Sequence, residues 1–279
     1  MNFFDMISKI EKVDPAIFER MDTRRKTMQQ FARTGRVLGL TALPLALGSL
    51  FKKAYGRDTA SVVGVLQYAL TLEYLEAEFY TKGVATAPIP AGPPLAAITT
   101  IRDHENAHVT LLKSVITELG ATPVPKPTFD FSAGNGSNNG PFKEVFNNYA
   151  LFLAVAQTFE DTGVRAYKGQ ATELMENNDI LTAALQIHSV EARHASHIRS
   201  MRRTLLSNTT IKPWITGKDT GGIGAAVQAS YNGEDLTTQA GANIVNIGNT
   251  GISVAAASEA FDEPLTKDAV LAIVDPFIA

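Results

Sequence analysis

The chain has 279 residues, of which 45% are apolar and 19% charged, so it has enough apolar material for a sizeable core and is not disordered throughout. It contains no cysteine, which excludes disulfide scaffolds, thiolate zinc sites, cysteine-ligated iron–sulfur clusters and cysteine nucleophiles. Residues 1–57 carry 11 basic and 5 acidic side chains, whereas the remainder carries 14 basic and 23 acidic ones, and this acidic body argues against a nucleic-acid partner.

The basic residues 1–57 have the features of an export leader. An uncharged run of 15 residues, 37–51, follows Arg36, and it is shorter than the roughly 20 apolar residues that a spanning helix needs. Upstream, the segment TRRKTM at 23–28 resembles a twin-arginine export signal. We therefore predict that export machinery reads this leader and that the protein is periplasmic. The alternative is a cytoplasmic protein with an amphipathic or buried helix here.

The hydrophobic pattern becomes helical after residue 57 and predicts four helices, at 59–84, 94–119, 141–170 and 179–206. A proline-rich turn separates the first two, and a long non-periodic segment, 120–140, separates the second from the third. Two helical hairpins joined by one long crossover are typical of one class of four-helix bundle. The predicted fold is therefore all-α, with the bundle at residues 58–207.

Residues 208–279 have a different composition, rich in glycine, asparagine and threonine. We predict a mostly irregular extension that covers the bundle and contains one late helix at about 265–274. The segment has no histidine and no recognisable motif, so it is not expected to be a second catalytic domain.

Two E-x-x-H motifs lie on the second and fourth predicted helices, Glu105 to His108 and Glu191 to His194. Residues at i and i+3 share a helix face, so each pair can reach one metal ion. Both motifs interrupt stripes that are otherwise apolar. Because carboxylates on a core face are costly unless they are paired or bind metal, the motifs predict a metal site inside the bundle.

The first and third helices supply matching carboxylates, Glu73 and Glu160, on their own inward faces. Each is followed seven residues later by a tyrosine, Tyr80 or Tyr167. The separation from each glutamate to the next E-x-x-H motif is 32 residues in the first half and 31 in the second. This repetition is hard to attribute to chance.

Several further titratable residues are less easily assigned. Glu76 shares the inward stripe of Glu73, whereas Asp161 is expected to point away from the site. For the remaining histidines, a surface position or a satisfied core position is the default, although His188 and His197 could hold a metal ligand in position through a hydrogen bond. These histidines are His104, His188 and His197.

The segment LEYLEAEFY at 72–80, the two E-x-x-H motifs and the segment FED at 159–161 resemble the ferritin-like superfamily. Within it, the sequence is most similar to the ferritin-like proteins grouped with plant desiccation-related proteins, which the segment AFDEPLT at 260–266 also fits. The resemblance implies a ferritin-like four-helix bundle and six metal ligands, of which Glu105 and Glu191 would bridge two ions. The implied ligands are Glu73, Glu105, His108, Glu160, Glu191 and His194.

Four carboxylates and two imidazoles suit two iron or two manganese ions, with zinc as an alternative. The expected small-molecule substrate is dioxygen or hydrogen peroxide. Tyr80 and Tyr167 are candidate catalytic residues that could bond to ligands or donate an electron; the alternative is that both are core tyrosines with satisfied hydroxyls.

The sequence is compatible with three functions. The first is a di-metal oxidoreductase, ferroxidase-like or peroxidase-like, in an exported stress-protective role. The second is a non-catalytic stress- or desiccation-related scaffold whose metal site is structural or vacant. The third and weaker one is iron storage in a cage. The sequence is compatible with an oligomer and does not indicate its size.

Overall fold

Four long helices form two hairpins that face each other. In a computed structural model of the protein, which describes residues 59–279, α1 (Thr59–Thr86) packs along α2 (Pro93–Glu118), and α3 (Tyr149–Gln170) packs along α4 (Asn178–Leu205). The crossover at residues 119–148 joins the hairpins. The predicted all-α, ferritin-like four-helix bundle is confirmed. The predicted leader, residues 1–57, lies outside the described residues.

The predicted start of the third helix at Pro141 is wrong. Residues 141–147 form turns, and α3 begins eight residues later, where the side chain of Asn148 accepts a hydrogen bond from the backbone N–H of Leu151. Asparagine is a favoured residue at this capping position because it satisfies an N–H group that the helix leaves free. The turns bury Phe142 and Val145, so this segment contributes to the core without being helical.

Helix α3 is enclosed on all sides. Every residue from 152 to 167 is buried, which distinguishes α3 from α2 and α4, each of which buries one stripe. One face of α3 lines the bundle interior and carries Glu160 and Tyr167, and the other carries Asp161 and Arg165 towards the C-terminal extension. Asp161 therefore points away from the bundle interior, as predicted, and its side chain is buried against the C-terminal extension.

The extension consists of short elements on this outer face of α3. A 3₁₀ helix (Ala225–Tyr231) precedes a two-residue antiparallel pair, β1 (Thr238–Gln239) and β2 (Ala242–Asn243), and two helices follow, α5 (Val254–Ser258) and α6 (Lys267–Val274). The predicted late helix corresponds to α6, which Thr266 caps. Gly169 of α3 lies so close to the carbonyl oxygen of Leu265 that a β-carbon there would collide with it.

A buried polar network, here called the extension network, joins α3 and α4 to the extension. Asp161 accepts two hydrogen bonds from Arg199 and a third, of 2.8 Å, from the hydroxyl of Tyr231. Arg165 pairs with Glu234 at 2.7 Å. The network comprises Asp161, Arg165, Arg199, Tyr231 and Glu234. None of the helices in the described part of the chain is both long and apolar enough to cross a membrane.

Candidate metal centre

The structure brings all six candidate ligands together inside the bundle, with at least one from each helix and every one buried. They form two groups of four, in each of which the donor atoms lie within 4.8 Å of one another. Glu105 and Glu191 belong to both groups, so each would be shared by two cations if both groups were occupied. The groups are Glu73, Glu105, His108 and Glu191, and Glu105, Glu160, Glu191 and His194.

In the first group, the Nδ1 atom of His108 points at three carboxylates. It lies 3.1 Å from Glu73 Oε2, and it lies 3.2 Å from both Glu105 Oε2 and Glu191 Oε1. An atom at the centre of this arrangement would be within reach of one imidazole nitrogen and three carboxylate oxygens, which is an oxygen-rich donor set.

The second group repeats this arrangement around His194. Its Nδ1 atom lies 2.9 Å from Glu105 Oε1, 3.3 Å from Glu160 Oε2 and 3.8 Å from Glu191 Oε2. Nδ1 therefore faces the carboxylates in both His108 and His194. Both histidines follow a glutamate by three residues on a helix, which accounts for the repeated arrangement.

Several of the nitrogen and oxygen atoms that could bind a metal are buried without a hydrogen-bond partner. They are Glu105 Oε1, Glu160 Oε2, both carboxylate oxygens of Glu191 and Nδ1 of His194. Buried polar atoms in folded proteins almost always have partners, so such a concentration requires an explanation. Two divalent cations would satisfy these atoms, and the residues therefore fit a di-metal centre.

A family model described as a ferritin-like domain matches residues 61–204, which include all four helices almost completely and all six candidate ligands. The chain belongs to the ferritin-like domain family. The match ends before the C-terminal extension. Comparisons with curated proteins and with solved structures gave no significant match.

The carboxyl groups of the centre have pKa values that are shifted in different directions. It raises the pKa of Glu73 to about 8, against an ordinary value of 4.5, and it raises the pKa of Glu160 well above the ordinary range. Burial also acts to raise the pKa of Glu191, but the nearby imidazoles of His108 and His194 hold that pKa below the usual range. The two carboxyls that belong to one group only, Glu73 and Glu160, therefore lack enough neighbouring positive charge to offset the effect of their burial.

The histidines respond to the same surroundings. Burial acts to lower the pKa of His108, but the charge of Glu73 and hydrogen bonds to the carboxylates raise it well above its ordinary value. His194 is raised in the same way, mainly by Glu160. In the absence of metal, protons on these imidazoles take the place of cations.

The two candidate tyrosines bond crosswise between the halves of the ferritin-like domain. Tyr80 of the first half donates to Glu160 Oε1 at 2.5 Å, and Tyr167 of the second half donates to Glu73 Oε1 at 2.5 Å. Both tyrosines are buried. Their hydroxyls hold one oxygen of each outer carboxylate, so the other oxygen is left to face the centre.

Of the three other histidines, His104 lies at the centre and its role was not apparent from the sequence. Its Nδ1 atom lies 2.9 Å from Nε2 of His194, the ring nitrogen that faces away from the carboxylates. The two rings are stacked. His197 is exposed, and His188 is half-buried with an unpartnered Nδ1. No spacing rule predicts the contact of His104, because it depends on how α2 packs against α4.

An apolar cavity of about 30 Å³ lies next to the centre, at the end of the bundle beyond Tyr167. All four helices line it, and it is bounded on the side of the centre by Leu72 and Tyr167. Cavities lined in this way do not hold ordered water and accept small apolar molecules.

Proposed function

We propose that this ferritin-like protein is a di-metal oxidoreductase that holds two iron or two manganese ions and acts on dioxygen or hydrogen peroxide. The observation that carries the proposal is the pair of four-donor groups that share Glu105 and Glu191, with buried oxygens that have no other partner. Four carboxylates would balance the charge of two divalent ions, and the donor set is one that iron and manganese favour.

Bound iron or manganese would supply the redox chemistry, and the chain would supply position and a dry environment. The ligands are fixed on four helices, so the two cation sites are held at a set separation. Tyr80 and Tyr167 orient Glu160 and Glu73 through short hydrogen bonds. We propose that these two hydroxyls are also the residues that can pass a proton or an electron to the site.

The apolar cavity favours dioxygen over peroxide as the molecule that approaches from the Tyr167 end. Dioxygen is small and apolar, whereas hydrogen peroxide needs hydrogen-bond partners that an apolar cavity does not offer.

We also propose that the protein acts outside the cytoplasm in a stress-protective, desiccation-related role. The features that support this proposal are the paired Arg24 and Arg25 before an uncharged run and the segment at 260–266. Release of a shortened chain into the periplasm of a bacterial host would support export, and retention of the full-length chain in the cytoplasm would contradict it.

The direct test is elemental analysis of protein purified without chelators. We expect about two iron or manganese ions per chain, and none in a Glu160→Ala, Glu191→Ala double variant. A matched control removes two exposed carboxylates, Glu144→Ala and Glu173→Ala, and should retain both ions. A parent protein that stays free of metal after anaerobic incubation with Fe²⁺ or Mn²⁺ would contradict the proposal.

The competing function is a scaffold with a structural metal site. Addition of dioxygen or peroxide to the loaded protein separates the two, because a redox centre changes oxidation state and a structural one does not. Optical and electron paramagnetic resonance spectra before and after addition report this change directly.

A further inference from the structure

Two members of the extension network lie next to ligands of the second group. Asp161 directly follows Glu160 on α3, and Arg199 follows His194 by five residues on α4. Arg199 donates two hydrogen bonds to Asp161, of 3.0 and 2.5 Å, and both side chains are buried. Paired bonds between an arginine and a carboxylate fix direction as well as distance. They therefore tie α3 to α4 beside the second group.

Asp161 and Glu160 point to different sides of α3, because successive residues of a helix are about 100° apart. Glu160 faces the centre, and Asp161 faces the C-terminal extension. A rotation of α3 about its axis would move both carboxylates together. While Arg199 holds Asp161, Glu160 therefore stays directed at His194, whose Nδ1 atom is 3.3 Å from Glu160 Oε2.

The extension supplies further partners for the pair of Asp161 and Arg199. Tyr231 is fully buried, and its hydroxyl donates a hydrogen bond of 2.8 Å to Asp161 Oδ2. Gln157 donates a bond of 3.1 Å to the same hydroxyl oxygen. The backbone carbonyl of Trp214 accepts a bond of 3.3 Å from Arg199. The extension thereby keeps the pair away from water, in which ion pairs hold their geometry only weakly.

Different residues occupy the two corresponding positions in the first half of the molecule. The residue directly after Glu73 is Tyr74, whose hydroxyl donates to the carbonyl of Val124 in the crossover at 3.3 Å. The residue five positions after His108 is Lys113, which is exposed. The two groups of four thus have matching donor sets but different support.

We propose that Asp161, Arg199 and Tyr231 are positioning residues, through which the C-terminal extension controls the affinity of the second group for its cation. The inference rests on the proposed function of the centre. Ligands that are already held in their binding geometry lose less freedom when the ion arrives, so they bind it more tightly. Because such coupling is reciprocal, a cation in the second group also tightens the contact between the extension and α3.

Two chains that each retain one group allow a direct test. Glu73→Gln with His108→Leu leaves only the second group complete, and Glu160→Gln with His194→Leu leaves only the first. We call them the second-group chain and the first-group chain. A titration of each full-length, metal-free chain with Mn²⁺, in which electron paramagnetic resonance measures the unbound ion, gives the affinity.

Tyr231→Phe should weaken Mn²⁺ binding by the second-group chain on the order of tenfold, because Asp161 loses the hydroxyl that the extension supplies. Arg199→Lys keeps the charge but loses the paired bonds, and it should have the same effect. Binding by the first-group chain should change by less than about twofold in both variants. Tyr74→Phe is the matched control, since it removes a tyrosine hydrogen bond beside Glu73 and should leave both chains unchanged.

Trp214 provides an independent measurement of the contact between the extension and α3. It is the single tryptophan of the chain, and its side chain is half exposed. Binding of Mn²⁺ by the second-group chain should shift its fluorescence emission to shorter wavelengths, because the extension then packs more tightly. Binding by the first-group chain should leave the emission wavelength unchanged.

Equal losses of affinity in the two chains would overturn this inference, since Tyr231 would then act only on the general stability of the fold. Undiminished Mn²⁺ binding by the second-group chain that carries Tyr231→Phe would also overturn it. Thermal unfolding of each metal-free variant verifies that the chain is folded. A parent chain that binds neither Mn²⁺ nor Fe²⁺ would overturn the proposed function together with this inference.

Discussion

The side chains around the centre show how few atoms decide its geometry. Glu73 and Glu160 each have one oxygen held by a tyrosine from the opposite half, and His194 has its outer nitrogen beside His104. Residues that orient a ligand in this way commonly contribute 10–100-fold to metal affinity, although they never touch the metal. The tyrosines and His104 therefore allow direct tests.

Replacement of Tyr167 by phenylalanine should weaken metal binding by roughly 10–100-fold, because Glu73 loses the donor that holds its Oε1 atom. Competition with a chelator of known affinity measures the change. Tyr149→Phe is the matched control, since Tyr149 is half-buried at the start of α3 and has no hydrogen bond from its hydroxyl to another described residue. Equal affinities of the two variants would show that the hydroxyl of Tyr167 only fills space.

Replacement of His104 by leucine should also lower metal affinity by about 10–100-fold, because Nε2 of His194 loses its partner and the ring loses its fixed orientation. His104→Asn, which restores an acceptor, should recover part of the affinity. His197→Leu removes an exposed histidine from α4 and should have no effect. Loss of affinity in His197→Leu as well would point to a general effect on the helix.

Helical periodicity explains why the six candidate ligands could be predicted from the sequence, whereas their partners could not. The i, i+3 spacing and the apolar stripes fix which face of a helix a residue occupies, and Glu105 and His108 share a face whatever the neighbouring helices do. The crosswise bond of Tyr80 to Glu160 depends on the angle between α1 and α3. The contact of His104 depends in the same way on the packing of α2 against α4.

Among the elements, α3 and the extension depend on each other. The outer face of α3 carries Asp161 and Arg165, which would be unusual on a helix buried all round unless another element supplied partners. Burial raises the pKa of Glu234 to about 7 despite its contact with Arg165. Ion pairs in such surroundings are strongly destabilising when one partner is lost.

Replacement of Arg165 by methionine should lower the free energy of unfolding by about 3–5 kcal/mol, because Glu234 is left buried without its cation. Urea denaturation measures the loss. Adding Glu234→Gln to the same chain should recover part of it, since the unpaired charge is then removed. Arg203→Met, at an exposed position of α4, should change the free energy by no more than about 0.5 kcal/mol. Equal effects of Arg165→Met and Arg203→Met would contradict the role of the pair.

Pro141 does not begin a helix, contrary to the prediction from the sequence. Proline is favoured in the first turn of a helix, but it also begins turns, and local sequence does not distinguish the two. Here the aromatic core decides: Phe142 stacks on Phe277 from the end of the chain, and Asp130 donates its backbone N–H to the carbonyl of the same Phe277. A contact across more than 130 residues cannot be seen in a local pattern.

For the whole molecule, the metal-free centre makes stability depend on pH. The pKa of Glu73 is raised from 4.5 to about 8, and the pKa values of His108 and His194 are raised from 6.5 to well above neutrality. Between about pH 5 and pH 8 the folded chain therefore binds more protons than the unfolded chain, so its stability falls as the pH rises. The lowered pKa of Glu191 has the opposite sign, but it acts only below the ordinary carboxyl range.

Metal ions displace these protons, so their stabilising effect should grow with pH. We expect the rise in melting temperature caused by bound Mn²⁺ to be larger at pH 8 than at pH 6, with about 2–4 °C for each kcal/mol in a domain of this size. Differential scanning calorimetry with and without the metal measures the rise. The Glu160→Ala, Glu191→Ala variant should show no rise at either pH, and an equal rise at both values in the parent would contradict the assigned direction.

The enclosure of α3 has a consequence for how the protein opens. Amide hydrogens exchange with deuterium when local or larger openings admit water, and residues 152–167 are covered by the facing hairpin on one side and by the extension on the other. The order in which peptides of α3 and of its neighbours take up deuterium therefore shows whether the facing hairpin or the extension separates from α3 first. If the extension detaches while the bundle stays closed, the peptides of α3 and of residues 208–279 will become labelled together, and those of α1 and α2 will follow only at global unfolding.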